Sequence, residues 1–274
     1  MEEKSSKLRL SSSKIKAFKA CRRMYELRYI HHLEPVQKSE ALETGTNYHK
    51  LLEDLNNGKP IKGNPEYEGN YSKELAMAMA YEKYIYPKFH VVKAEEWLTY
   101  DLGDNAYLVG IADGIADDGH IVEHKSCGSE ITEQYEYNLL WDEQILAYML
   151  MTGMRKVWYT VCRKPTIRQK QNESEEEFFN RMVEWYDTDT DSKIRLLEIE
   201  RTDEEVKAYL NDLNKLSVMM NRKKPNYYRN TCHCNMYGKR CEYSSICLNY
   251  DPEQEYIDFV KVKEKENPNE TKKD

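Results

Sequence analysis

Residues Gly110 to Lys125, GIADGIADDGHIVEHK, hold two carboxylates and an ammonium at spacings that could bring them to one point. In a strand, residues two apart share a face, so Glu123 and Lys125 project together while Val122 and His124 project from the other side. A hairpin turn at Asp117-Asp118-Gly119 brings Asp113 opposite Glu123 or its immediate neighbour. Two acids beside a lysine would bind a hard divalent cation, Mg2+ or Mn2+, through oxygen, leaving positions for water and a phosphate oxygen. Phosphodiester hydrolysis needs an activated water and neutralisation of transition-state charge, which the cation and Lys125 can supply together. The bland alternative is a turn-capping Asp113 and an exposed Glu-x-Lys ion pair. Against it stands the context: the triplet follows apolar Ile121 and Val122, in a hairpin whose other strand carries an acid at matching depth.

The elements that must hold these residues can be read on either side. Ser11, Ser12 or Ser13 caps a helix in which Ile15, Phe18, Cys21, Tyr25 and Tyr29 share one face, ending before Pro35. A second helix runs from about Ser39 to Asn57, with Leu42, Gly45, His49 and Leu52 on one stripe, so His49 faces inward. Tyr71 to His90 reads as a third helix, and Glu96 to Lys125 as a strand meander with turns at Gly103-Asp104 and near Gly119. One helix from Tyr135 to Met151, stopped by Thr152-Gly153, and a buried strand from Lys156 to Cys162 follow. Capping boxes at Ser174/Glu177 and Thr202/Glu205 open two further helices, with a strand, Ile194 to Ile199, between them. The expected fold class is α/β, a mixed sheet flanked by helices.

Seven cysteines, an odd number, argue against a disulfide framework and for metal binding or buried thiols. Cys232, Cys234, Cys241 and Cys247 crowd together near one end, Cys21 lies near the other, and Cys127 and Cys162 read as ordinary buried residues. A net charge of −7 has the wrong sign for a protein that coats nucleic acid, so any DNA contact must come from a local basic patch, with Lys14, Lys16, Arg22, Arg163 and Lys164 among the candidates. No apolar run is long enough for a membrane span and no apolar leader opens the chain, which predicts an intracellular, cytoplasmic protein with no membrane partner.

Four motifs in order resemble the PD-(D/E)XK nuclease superfamily, and within it the RecB-like branch of CRISPR-associated and phage iron-sulfur exonucleases. Gly45-Thr46-Asn47-Tyr48-His49 is similar to the family's G-x-x-x-H, Gly110-Ile111-Ala112-Asp113 to its G-x-x-D, Glu123-His124-Lys125 to its D/E-x-K, and Gln144-Ile145-Leu146-Ala147-Tyr148 to its Q-x-x-x-Y. The resemblance implies that His49, Asp113 and Glu123 ligate the metal with the backbone carbonyl of His124, that Lys125 serves the nucleophilic water, and that Gln144 and Tyr148 support the site. It also implies a [4Fe-4S] cluster on Cys21, Cys234, Cys241 and Cys247, although Cys232 competes with Cys234 and the first spacing is longer than usual. Such a cluster would clasp the N-terminal helix to residues 224–250 in one lobe. Loop closure makes that clasp worth on the order of 5 kcal/mol. A zinc site, with or without His233, is the competing reading.

The implied activity is metal-dependent exonucleolytic hydrolysis of DNA, single-stranded or at ends, in recombination, replication or CRISPR-type partnership; a phage origin would place it in the host cytoplasm. The rivals are a DNA-end-binding adaptor of the same fold and a zinc-stabilised structural protein. Residues 1–255 are expected to form a single nuclease domain, with 163–191 as an insertion and 256–274 as a disordered charged tail. Oligomeric state and digestion polarity stay open.

Overall fold

The structure, a computed structural model, describes residues 7–37, 39–222, 226–236, 238–248, 255 and 257–263. In chain order it runs β1 (Leu8–Leu10), α1 (Ser12–Ala20), α2 (Arg22–Tyr25) continued by a π-helical turn at Glu26–Ile30, β2 (Leu33–Pro35), α3 (Glu40–Asn56), α4 (Lys73–Tyr84), β3 (Val91–Asp101), β4 (Ala106–Ala116) and β5 (Ile121–Cys127). Then come α5 (Glu133–Leu139), α6 (Glu143–Thr152), β6 (Lys156–Arg163), α7 (Glu175–Trp185), β7 (Ile194–Glu200), α8 (Asp203–Met220), β8 (Asn235–Met236), β9 (Lys239–Arg240), α9 (Ser244–Leu248) and β10 (Phe259–Lys261). Two compact units form, one from Met1–Lys38, Thr99–Gly110 and Leu210–Asp274, the other from Ser39–Leu98 and Ile111–Tyr209.

The second unit carries the expected mixed sheet flanked by helices. β4 and β5 are antiparallel, with Gly114 opposite Val122 and Ile115 opposite Ile121. β5 and β6 run parallel, with Lys125 beside Val161, and β6 and β7 antiparallel. A parallel pair needs a crossover connection, which α5 and α6 supply. Alternation along β5 sends Ile121 into a cluster with Ile145 and Met149 of α6, and Val122 to the opposite layer with Val91 and Ala116. On that opposite layer the His124 ring meets Tyr81 of α4 edge-on at 5.1 Å. α3, α4 and α7 pack together through Tyr48, Leu52, Met77, Tyr81, Phe179 and Tyr186. The capping boxes at Ser174/Glu177 and Thr202/Glu205 both form.

Three expectations are corrected here. The buried stripe of α3 is Thr44, Tyr48, Leu52 and Leu55, whereas Leu42 is exposed and His49 stands at the rim. α4 is shorter than Tyr71 to His90: Ser72 caps it, and it gives way at Tyr84 to a 3-10 turn containing Pro87, which disfavours helix in the residue before it. The helix expected from Tyr135 to Met151 is two. Tight turns from Leu140, Trp141 and Asp142 N–H back to Tyr137, Asn138 and Leu139 O end α5, and Asp142 starts α6 by accepting the Gln144 N–H at 3.0 Å. Arg201 Nη2 also donates to Leu139 O at 3.0 Å, a tie from far along the chain.

In the first unit Ser11 caps α1 as read, but the helix breaks at Cys21, whose backbone is extended. The break is held from the other end of the chain: Asn230 Nδ2 donates to the released Ala20 O at 2.7 Å, and Arg23 N–H to Tyr228 O at 3.2 Å. β1 pairs in parallel with the start of β4, Leu8 beside Ala106. The tail expected from residue 256 starts too early, because Phe259–Lys261 pairs antiparallel with Leu33–Pro35 and the buried Phe259 ring stacks on Tyr243 at 5.4 Å. Residues 264–274 lie outside the described residues, as does Tyr237.

Gly114 of β4 has no room for a side chain, since an added Cβ would stand 2.8 Å from Val91 Cγ1 and 3.1 Å from Lys93 O. Gly114→Ala is therefore expected to cost roughly 1–3 kcal/mol by overpacking beside Asp113, read as a lower denaturation midpoint at unchanged slope.

Candidate active site

The β4/β5 ladder stops at Gly114 and Val122, where the next opposed pair would be Asp113 and Glu123. In place of a ladder bond, Asp113 Oδ2 accepts the backbone N–H of His124 at 2.6 Å, and Oδ1 faces His49 Nδ1 of α3 at 3.1 Å. On the neighbouring strand Lys125 Nζ donates to Glu123 Oε1 and, at 3.0 Å, to Gln144 Oε1 of α6. The chain of bonds returns to β4: Gln144 Nε2 donates to Tyr148 OH at 2.7 Å, and Tyr148 OH donates to Ile111 O at 2.6 Å. Residues four apart on α6 thus hold the lysine and the edge of the acid-bearing strand together.

Burial raises the Glu123 carboxyl, the nearby Asp113 charge raises it further, and it reaches about 8 despite the opposing pull of Lys125. For Asp113, burial also works upward, but the His49 hydrogen bond and charge outweigh it and hold the acid below its usual range. Burial depresses His49 and Lys125, and each is nonetheless raised, by Asp113 and by Glu123 respectively, so Lys125 is an ammonium at neutral pH. The His124 ring is pushed down by burial to about 4; it is neutral, with Nδ1 2.7 Å from Thr160 Oγ1.

Glu123 Oε2 is buried with no hydrogen-bond partner, a position that costs about 1–3 kcal/mol if left unfilled. A hard divalent cation suits that oxygen, with the Asp113 carboxylate as a second oxygen donor. The donor set fits such an ion in chemistry. Among the described residues no three His, Cys, Asp or Glu side chains, the cysteines included, stand as a ready-made cage. A divalent cation held by Glu123 would compete with its proton, and affinity for Mg2+ or Mn2+ is then expected to rise about tenfold per pH unit toward pH 8 and level off above it. A carboxyl raised in the fold stabilises the cation-free protein fully below its unfolded value and loses that contribution as pH climbs through about 8. Calorimetric titration with Mg2+ across this range checks it; an affinity indifferent to pH contradicts it.

The structure brings the six predicted side chains together in two hydrogen-bonded sets, His49 with Asp113 and Glu123 with Lys125, Gln144 and Tyr148, adjoining where Asp113 accepts the His124 N–H between Glu123 and Lys125. Tyr148 is buried and hydrogen-bonded, so it does not offer its ring to a base. Two participants went unread: Asp142, which caps α6 and adds to the field at Lys125, and Thr160, which holds the His124 ring. An Asp before an apolar helical run is a capping signal, hidden here by the unbroken apolar period; the Thr160 contact depends on parallel register, which no local pattern encodes.

Among the cysteines, Cys21 Sγ accepts the Asn230 N–H at 3.4 Å and Cys234 Sγ lies 3.8 Å from Asn230 O. The Cys241 thiol is raised by burial and feels Glu242, Cys234 and Cys21, while Cys247 packs with it against Leu27, Leu33 and Tyr243. Cys232 is exposed, Cys162 is buried and raised to about 12 by burial, and Cys127 is half-buried.

A mixed sheet whose central hairpin converges an acid on one strand with a Glu-x-Lys triplet on the next defines a nuclease-type core. The chain belongs to the PD-(D/E)XK nuclease superfamily, which residues 9–248 match. Among curated proteins none matches the sequence. A crystal structure of an Eubacterium rectale protein assigned as an exonuclease is similar in fold, with a TM-score of 0.52 at 13% identity over 87% of this chain and 92% of that one. A phage-related exonuclease from Haemophilus somnus is more distantly similar, with a TM-score of 0.37 at 12% identity over 77% of this chain and 92% of that one. No helix among the described residues is long and apolar enough to cross a membrane.

Proposed function

We propose that the protein is a Mg2+- or Mn2+-dependent deoxyribonuclease acting exonucleolytically on single-stranded DNA or DNA ends. The observation that carries the reading is the buried, unpartnered Glu123 Oε2 beside Asp113, with the Lys125 ammonium held by Gln144 at 3.0 Å. Asp113 and Glu123 would hold the cation, with the His124 carbonyl and His49 as further ligands once His49 leaves Asp113. The bound ion would acidify a water and neutralise charge on the phosphate. Lys125, already charged, orients that water by donating to it and offsets charge on the non-bridging oxygen as the phosphorus–oxygen bond breaks. Gln144 and Tyr148 are positioning residues that keep the ammonium aimed. Digestion of end-labelled single strands, with 5′ or 3′ blocking groups and with or without Mg2+, tests the reading; no cleavage under any condition would favour an adaptor that only binds ends.

A [4Fe-4S] cluster on Cys21, Cys234, Cys241 and Cys247 is part of the proposal, in a structural role, with zinc as the alternative. Supporting it, Cys21 and Cys234 flank the same residue, Asn230, although the ends of the chain supply them, and the exposed Cys232 is the poorer candidate. Iron and sulfide analysis of anaerobically purified protein separates the two metals.

A further inference from the structure

The break between α5 and α6 presents the most exposed large hydrophobic side chain among the described residues: Trp141 is 71% exposed, with Tyr137 and Leu140 beside it at 54% and 51%. Single exposed apolar residues need no account, but a contiguous aromatic group on a surface otherwise rich in charge does. The backbone under it is fixed. Leu140, Trp141 and Asp142 N–H groups close onto Tyr137, Asn138 and Leu139 O, Arg201 ties Leu139 O from β7's end, and Asp142 caps the next helix. Tyr137 and Trp141 meet edge to face at 6.4 Å, which steadies the rings without covering Trp141.

The position matters as much as the exposure. Trp141 directly precedes Asp142, whose charge reaches Lys125, and lies three residues before Gln144, which holds Lys125 Nζ, so the chain carries the aromatic group next to the proposed cleavage site. Its charged neighbours decide which part of a nucleic acid it meets. Glu133, Glu136 and Asp142 are acidic, and Glu136 already pairs with Arg195, so the phosphate backbone is disfavoured here while an uncharged base is not. Base–aromatic stacking needs only an open ring face and an unpaired base.

We propose that Trp141, steadied by Tyr137, is a stacking platform for one unpaired nucleobase of the strand cut at Lys125. The inference rests on the nuclease reading and deepens it: the substrate is then a single strand or a frayed end, selected by a base that a closed duplex does not offer.

The test uses the full chain with Ca2+ in place of the activating ion, and compares a fluorescein-labelled oligothymidylate with an abasic strand of equal length and charge. The parent is expected to prefer the thymidylate by about five- to 150-fold, the stacking of one base on a ring. Trp141→Ala should erase that preference while leaving the abasic strand unchanged, and Trp141→Phe should keep most of it. Equal binding of the two strands by the parent, equal loss of both in Trp141→Ala, or no binding of thymidylate overturns the platform. So does a parent dimer that Trp141→Ala converts to monomer in sedimentation, because a second copy then covers the patch. Parallel Mg2+ digestion of the same strand separates the two ideas: cleavage without base preference retains the nuclease and removes the platform, and base preference without cleavage does the reverse.

Discussion

Glu123→Gln is expected to lower DNA hydrolysis by at least about a thousandfold, the several kcal/mol that a divalent cation supplies to a phosphoryl transition state. The cation-free fold should survive the change. Glu123 is buried and raised to about 8, so near neutrality it is mostly the protonated acid, which glutamine matches in shape and charge. Glutamine keeps an oxygen for the Lys125 Nζ bond and puts an amide donor where the protonated acid already has one. What it cannot do is release a proton to admit a cation. The variant should still unfold cooperatively without Mg2+, while the stabilisation that Mg2+ gives the parent disappears. Activity retained with glutamine at this position would remove Glu123 from the chemistry.

Lys125→Met should cost about 10²–10⁴ in kcat with a smaller change in KM, because the ammonium acts on charge that develops only as the bond breaks. Methionine keeps the apolar stem but leaves Glu123 Oε1 and Gln144 Oε1 without their donor. Gln144→Ala removes only the outer restraint on the ammonium and should cost nearer tenfold, in the same direction. Comparable hydrolysis by parent and Lys125→Met, or none by either, would instead favour the adaptor.

The legible part of this site was the part encoded within a few residues. Period-two alternation in β5, with a turn ending at Gly119, places Glu123 and Lys125 on one face and brings Asp113 into register with Glu123, and the ladder that stops at Gly114 and Val122 agrees. Helix spacing likewise predicts that Gln144 and Tyr148 reach the same side, and both join the lysine's network. Contacts made across long stretches of chain were not legible. The α1 break at Cys21 depends on Asn230 and Tyr228, and Arg201 helps set the α5 break. Apolar periodicity carried through both positions, since a local pattern reports which residues could be helical and not which carbonyl a distant side chain captures. The stripe on α3 predicts an inward-facing His49; it stands at the rim because Thr44 and Tyr48 take the buried side and Asp113 draws the imidazole.

The central claim is that Asp113 and Glu123 share one divalent cation. Anomalous diffraction from crystals grown with Mn2+ tests it directly. A single peak is predicted at oxygen-ligand distance, about 2.0–2.2 Å, from carboxylate oxygens of both residues. An ordered Mn2+ bound elsewhere, with the Glu123 carboxyl still paired only to Lys125 while the crystals' protein cleaves DNA, would contradict it.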